Sequence, residues 1–477
     1  MPGDPPDPAA SLPAPQGERP YFVAADGRVV LYQGDCLDLL PRLPEESFDL
    51  IFADPPYFLS NGGITCHAGK MVSVNKGKWD RSRGFRGNYD FTRDWLAACR
   101  RVLKPNGSIW VSGTSHIIHI VGCCMDELGY KILNNITWVK PNPPPNLSCR
   151  YFTHATETLL WAGRDRKCRH KFNYALMKRL NHGKQMKSVW SIDPPGKAEK
   201  VFGKHPTQKP LALLERIIAA ASDEDDAVLD PFVGAGTTAI AAARMTRNAL
   251  GIDRLAEYLF LSQRRCIGVP QADNPDRMLE LVRLFGAGLA DVPAQSARLG
   301  ITHRQVHYYR HALRTLGLLV SSADGPVLTR LGRKAGTGTP HARRQALARA
   351  ILNFPLVQLA LRKIKGVRTD RGQRRRVAAM LAGCTPISGT TCERRAQTLL
   401  TWLGWAREVL GQQAESDKLV PTATQETQNA PVAEDLKLLP DLWPNVPVAG
   451  VKGRQLGLEF IDLIQAERAP PETLDAP

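Results

Sequence analysis

Long apolar runs are missing from this chain of 477 residues: no stretch reaches the ~18 apolar residues that a membrane-spanning helix needs. The first segment, MPGDPPDPAASLPAPQGERP, has no apolar centre, so a secretory signal peptide is not expected there. Cysteine occurs ten times but never as a Cys-x-x-Cys pair. That argues against a disulfide framework and for reduced thiols in a cytoplasm. Internal repeats are absent as well. Acids are scarce, 46 against 63 lysines and arginines, for a net charge of +17. The shortage is local: Asp291 to Leu410 carries 21 lysines and arginines against 5 acids, while the remainder is near balance. An excess of that size points to a polyanion, either nucleic acid or an anionic membrane surface.

What is present is alternation. The segments 28–35, 48–55, 108–113, 136–140, 157–163, 226–230 and 249–253 read as strands. Between them, 91–103 places Trp95, Leu96, Cys99, Val102 and Leu103 on one helical face, and KPNG (104–107) stops that helix. Helices are also expected over 116–128, 210–222 and 237–245. The pattern predicts an α/β fold with an open, mostly parallel sheet. The expected organisation is a disordered tail over 1–20 and an α/β domain over 21–270 with an insertion at about 140–205. A linker over 271–290, a basic helical module over 291–411, a disordered linker over 412–440 and a tail with a docking helix at 454–465 complete it.

Two stretches carry chemistry. In LDPFVGAGTT (229–238), Gly234 and Gly236 let the backbone turn tightly and open a helix whose first N–H groups are free. About twenty residues on, Asp253 closes the next strand, where a carboxylate takes both hydroxyls of a ribose. Only two glycines are present, so the pattern is not GxGxxG, and Asp230 stands where a phosphate would be repelled. This favours a phosphate-free, positively charged nucleoside, S-adenosyl-L-methionine. In IFADPPYFLSNGG (51–63), Asp54 ends an apolar strand, and Pro55 and Pro56 stiffen the chain that follows. Asp54 and the Pro55 carbonyl can accept both hydrogens of an exocyclic amine whose ring stacks on Tyr57. Two acceptors favour a pyramidal nitrogen, with its lone pair aimed at an electrophile.

DPPY (54–57) together with DPFVGAGTT (230–238) resembles the DNA amino-methyltransferases of restriction–modification systems, over about residues 21–270. The catalytic motif precedes the cofactor turn, as in the beta arrangement of that family, whose intervening insertion recognises the target. The stretches 60–80 and WVKPNPPPN (138–146) are closer to adenine-N6 enzymes than to cytosine-N4 enzymes, which usually carry Ser-Pro-Pro-Tyr. The resemblance implies a Rossmann-like S-adenosylmethionine-dependent methyltransferase sheet. It gives Asp54, Pro55, Pro56 and Tyr57 to the target base, and Asp230, Phe232, Gly234, Gly236, Thr237 and Asp253 to the cofactor. Asp35 and Cys36 match the stretch that contacts the cofactor adenine, and Thr207 and Lys209 of HPTQKP match one near its methionine end. It implies a double-stranded DNA substrate with the target base flipped out and a cytoplasmic, nucleoid-associated protein. A cognate restriction endonuclease and a homodimer stay open.

For holding DNA, the insertion offers Lys140, Arg150, Arg164, Arg166, Lys167, Arg169, Lys171, Lys178, Arg179, Lys184 and Lys187. In the basic module, 296–319 reads as two helices about a turn at Gly300, the second carrying Arg304, Gln305 and Arg310. A strand or wing over 325–334 follows, which resembles a winged helix-turn-helix. GVRTDRGQRRR (366–376) is a dense cationic loop. His116, His119 and Cys123 lack a fourth ligand at matching spacing, so no metal site is expected. Neither Cys123 nor Cys124 follows a proline, which argues against a cysteine-nucleophile mechanism. Cytosine-N4 methylation and a non-catalytic DNA-binding regulator are the competing readings.

Overall fold

Apolar strands that end on an acid form the centre of the molecule, whose computed structural model describes residues 12–416 apart from 25, 61–63, 68–69, 74–75, 144, 147–148, 204, 323–324 and 388. Of the disordered tail expected over 1–20, residues 1–11 lie outside the described residues, but 12–20 pack on the domain: Leu12 is buried in its core and the Gln16 N–H donates to the Arg42 carbonyl at 3.1 Å. The linker from 417 onward and the docking helix over 454–465 also lie outside the described residues.

The strands are β1 (Phe22–Val23), β2 (Val29–Gln33), β3 (Phe48–Ala53), β4 (Ile64–His67), β5 (Lys70–Ser73), β6 (Leu103–Gly113), β7 (Lys131–Val139), β8 (Thr156–Gly163), β9 (Val189–Ser191), β10 (Ala227–Asp230) and β11 (Asn248–Asp253). β4 and β5 pair as a separate hairpin; the other nine form one sheet in the order β1-β2-β11-β10-β3-β6-β8-β7-β9. The central run from β2 to β6 is parallel throughout. Every residue of β3 and β10 is buried, as strands covered on both faces must be. Helices α1 (Cys36–Leu39), α2 (Gly84–Val102) and α3 (Ile118–Glu127) cover one face through Leu39, Trp95, Leu96 and Val121. Helices α4 (Tyr174–Leu180), α5 (Leu211–Ala221), α6 (Thr237–Arg244) and α7 (Ala256–Cys266) lie on the other side, with Met177, Leu214, Ile240 and Leu259 in its core.

Three boundaries differ from the sequence reading. Helix α2 runs directly into β6, so Lys104–Gly107 belongs to a strand and not to a stop signal. Pairing jumps from Phe48↔Leu103 to Leu50↔Ser108, so the extra residues bulge, and a side chain at Gly107 would meet the Phe48 carbonyl at 3.0 Å. The block 140–205 is not a single insertion. Its segment β8 is an interior strand, antiparallel to both neighbours, and β9 edges the same sheet. The region 271–290, expected as a linker with a short helix, is mostly helix α8 (Pro275–Gly286), whose Met278, Leu281 and Val282 are fully buried at helical spacing.

The remaining helices are α9 (Val292–Leu299), α10 (His303–Thr315), α11 (Arg330–Thr337), α12 (Pro340–Asn353), α13 (Pro355–Ile364), α14 (Asp370–Cys384) and α15 (Thr390–Ser416). The turn between α9 and α10 uses Gly300 at φ 61°, in the left-handed region. After α10 comes the hairpin β12 (Leu319–Ser322) and β13 (Gly325–Leu328), the helix-turn-helix-and-wing order that the sequence suggested. Two expected irregular segments are helical: α14 begins inside the cationic stretch 366–376, and α15 continues to Ser416. One core runs through this half and takes in Phe202, Ala235, Leu261 and Ala272 from the first. The junction is also polar. Buried Arg244 of α6 donates to the Thr385 carbonyl at 2.9 and 2.7 Å and to the Ala382 carbonyl, and Trp402 donates to the Ala272 carbonyl at 2.6 Å.

Candidate active site

The register Val228↔Leu50 and Leu229↔Ile51 makes β3 and β10 parallel neighbours, and β11 flanks β10 with Asp230 opposite Gly251. Asp54, Asp230 and Asp253 therefore leave the sheet at one rim, the carboxyl edge where open α/β sheets bind ligands. A cleft opens there, lined by Gly34, Asp35, Cys36, Asp54, Pro56, Trp79, Arg83, Phe91, His205, Thr207, Pro231, Phe232, Asp253, Arg254, Leu255 and Tyr258.

At one end stands Asp54. Its Oδ1 accepts from Tyr57 Oη at 2.7 Å and Ser112 Oγ at 2.5 Å, and its Oδ2 from Lys209 Nζ at 2.6 Å. Behind it, Glu157 accepts from Tyr57 Oη at 3.2 Å and from Lys140, and lies 3.6 Å from Lys209. Burial pushes the Glu157 carboxyl up, but the Lys209 and Lys140 ammoniums outweigh it and hold the group below the ordinary range. Burial lowers Lys209, and Asp54 and Glu157 more than reverse it, so the ammonium stays charged. The loop is fixed from below. Fully buried Asp80 accepts from the Tyr57 and Phe58 backbone N–H groups at 2.9 and 2.8 Å and from Ser60 Oγ at 2.8 Å. That clamp holds Phe58 at φ 58°, a conformation a bulky residue rarely adopts.

Two expectations change here. Tyr57 is only 5% exposed and does not line the cleft; Lys76 and Lys209 sit 5.3 and 5.2 Å from its ring centroid. Its hydroxyl orients Asp54, and the flat faces in the cleft belong to Trp79, Phe91, Phe232 and Tyr258. Lys209 is bonded to Asp54 and does not line the cleft. Thr207 does line the cleft, bonded to His205 Nδ1 at 3.3 Å.

At the other end, Asp253 accepts from Gly234 N at 3.0 Å and Leu255 N at 2.8 Å, and burial pushes its carboxyl up to about 6. No salt bridge reaches it among the described residues, so it keeps capacity for hydroxyl donors. Asp35 caps α1 by accepting from Leu37 N, and beside it burial raises the Cys36 thiol well above its usual value. Asp230 is buried, up to about 7, and is spent on Phe232 N and Thr238 Oγ1. Gly236 and Thr237 do not line the cleft. A side chain at Gly236 would meet Ser262 at 3.0 Å, and Thr237 Oγ1 accepts from buried Arg265 at 3.0 Å. They let α7 close on the turn. Gly234, at φ 48°, packs under the His205 ring, whose pKa burial lowers to about 4. A nucleoside cation fits these acceptors: the cleft carries three carboxylates, Asp35, Asp54 and Asp253, against two guanidiniums, Arg83 and Arg254, between aromatic faces.

Four of the residues expected to hold DNA, Lys140, Lys171, Arg310 and Gln305, are engaged elsewhere, whereas Arg166, Lys167, Arg169, Lys178, Lys184 and Lys187 are exposed. Lys140 is tied to Glu157 over the Trp138 ring. Lys171 pairs with Asp223 and Asp226 at 2.9 and 2.6 Å, just before β10 and so at the rim opposite the cleft. Arg310 is 7% exposed and donates to Gln295 at 2.9 Å and to the Ala290 carbonyl. Gln305 closes the capping box of α10 with Thr302. Arg304, bonded to Tyr308 Oη at 2.6 Å, remains exposed, as does Arg150 beside Tyr151 and Phe152, which are 60% and 97% exposed. Sequence reasoning missed Glu157, Ser112, Asp80, Trp79 and Tyr258. Of these Trp79 and Asp80 carried a local signal, at the end of the stretch 60–80.

No helix among the described residues is long and apolar enough to cross a membrane, and no cluster of three metal-ligating side chains occurs among them. Residues 48–264 match the family model described as DNA methylase, of the N6 and N4 type, and residues 278–410 match a domain of unknown function. The chain is 54% identical over 248 residues to the type II methyltransferase M2.LlaDCHI of Lactococcus lactis subsp. cremoris, covering 52% of this chain and 91% of that protein. It is 53% identical to M2.DpnII of Streptococcus pneumoniae over 248 residues, 52% and 92% of the two chains. Identity to M2.MboI of Moraxella bovis is 51% over 247 residues, 52% and 90%. These relatives match about half of this chain and nine-tenths of their own length, and the chain belongs to the DNA methylase family, enzymes that move a methyl group from S-adenosyl-L-methionine to DNA.

Proposed function

We propose that this methyltransferase modifies the N6 amine of adenine, in a base turned out of duplex DNA, at a specific sequence. The observation that carries the reading is that Asp54, after β3, and Asp253, at the end of β11, line one cleft on either side of β10. An amine inside a duplex cannot reach such a cleft, so the base must leave the stack, at a cost of a few kcal/mol. Asp35 and Asp253 would hold the nucleoside of the cofactor, and Phe232 would pack on its apolar surface. When bound, S-adenosyl-L-methionine supplies a sulfonium methyl group as electrophile.

The chain's own work is positioning. Asp54 and the Pro55 carbonyl accept the two hydrogens of the amine, and Tyr57 and Ser112 hold the Asp54 carboxylate in line. In the structure Lys209 Nζ occupies Asp54 Oδ2, the place an amine donor would take. Glu157, 3.6 Å away, offers that ammonium a second seat, so Lys209 can yield to the base without losing its counter-charge. As the new N–C bond forms, the C–S bond breaks, the nitrogen becomes positive, and Asp54 receives the proton it sheds. The type II names of the relatives support a place in a restriction–modification system with a cognate endonuclease; a DNA substrate would place the protein at the nucleoid of the cytoplasm.

Incubating the protein with duplex DNA and methyl-labelled cofactor, then digesting to nucleosides, tests the reading. The label is expected in N6-methyladenine. Label confined to N4-methylcytosine would move the target to cytosine, and unlabelled DNA would leave a DNA-binding protein on this fold.

A further inference from the structure

The surplus charge of the helical half is concentrated in one place. From Arg362 to Arg376, across the end of α13 and the start of α14, stand eight lysines and arginines and one acid, Asp370. All eight cations are exposed. The apolar side of the same two helices, with Leu356, Leu359, Val377 and Leu381, is sunk in the core, so the charged side is held rigidly outward. Arg368, Arg371, Arg374, Arg375, Arg376 and Lys365 make no ion pair among the described residues.

This arrangement opposes the stability of the isolated protein. Four of these arginines fall within the first seven residues of α14, at the positive end of its dipole, where cations are unfavourable. Like charges four apart on a helix, such as Arg371 and Arg375, repel as well. Only Asp370 and Glu393 offset them along the groove between α14 and α15. By contrast, α10, which the sequence suggests as the reading helix, shows one exposed arginine, Arg304, because Arg310 is buried.

We infer that the α13–α14 face is a second DNA-binding surface, gripping duplex phosphates away from the methylated base. It rests on the DNA methyltransferase reading for the identity of its polyanion. Phosphate contacts give affinity and hold on the duplex without reading sequence, so this half tethers the enzyme to flanking DNA while the cleft works on the target.

The full-length triple variant Arg371→Gln, Arg374→Gln, Arg375→Gln tests it, against DNA that the wild-type protein methylates. On a long duplex the affinity is expected to fall at least tenfold near physiological salt. The slope of log affinity against log salt should shrink by about 2.7, or about 0.9 for each phosphate no longer neutralised. On a short duplex that spans only the methylated site, kcat/KM should stay within about twofold. The thermal midpoint should hold or rise, since repulsion is relieved. An unchanged slope on long DNA overturns the inference. So does an equal loss on both duplexes, which would assign the arginines to the cleft's own grip on DNA. Loss of binding to phosphatidylserine vesicles with DNA binding intact would identify a membrane surface instead. Methyl transfer to the short duplex by the wild-type protein checks the underlying activity separately.

Discussion

Asp54→Asn lowers kcat by about 10³-fold and leaves cofactor affinity within about threefold. The carboxylate is the one group in the cleft placed to accept from an amine while held by three donors of its own, Tyr57, Ser112 and Lys209. Asparagine keeps the shape but turns one acceptor into a donor that faces the incoming amine. Losing one preorganised electrostatic group costs about 10²–10³ in rate, and losing a proton acceptor about 10²–10⁴. Cofactor affinity survives because Asp253 and Asp35 lie at the other end of the cleft and do not touch Asp54. Single-turnover transfer of labelled methyl, with calorimetric titration of the cofactor, separates the two effects. A rate within tenfold of wild type would show that another group receives the amine.

Arg244→Met destabilises the protein by about 3–5 kcal/mol, although Arg244 is remote from the chemistry. Its guanidinium pairs with Glu215 at 2.9 Å and caps the carbonyls of Ala382 and Thr385. Glu215 is 1% exposed, and burial already raises its pKa against the pull of Arg244. Removing the arginine leaves a buried carboxylate and two carbonyls unpaired, at the seam between the halves. The double variant Arg244→Met, Glu215→Leu should recover much of the loss, since an apolar pair of similar volume fills the space without an orphan charge. Urea unfolding of both variants gives the comparison. A loss under 1 kcal/mol for the single variant would mean the halves are joined mainly by their shared apolar core.

The parts of the site that a sequence shows are those written in consecutive residues. Asp54 and Asp253 are legible because each ends an apolar strand, and the turn at Gly234 because left-handed backbone favours glycine. The partners that tune Asp54 are not legible. Lys209 is 155 residues from it in sequence, and Glu157 reaches Tyr57 across 100. Charge alone misleads in the same way: Lys140, Lys171 and Arg310 count as surplus cations in the sequence, yet each is tied to an acid or an amide in the fold. β8 is half hidden. It reads as a strand, but prolines and basic residues on both sides make its surroundings look like an insertion, when it lies between β6 and β7. For α8 the signal is present in Met278, Leu281, Val282 and Phe285, enough to show a short helix but not that it is buried in the core of the second half.

The ternary complex tests the central claim most directly: a crystal structure of the protein with a non-reactive cofactor analogue and duplex DNA containing an unmethylated target site. The account predicts an adenine outside the helix with N6 within hydrogen-bond distance of Asp54 and the Pro55 carbonyl, the Lys209 ammonium moved onto Glu157, and the analogue's ribose on Asp253. A target base still stacked in the duplex, or an amine held by other residues while Lys209 stays on Asp54, would contradict it.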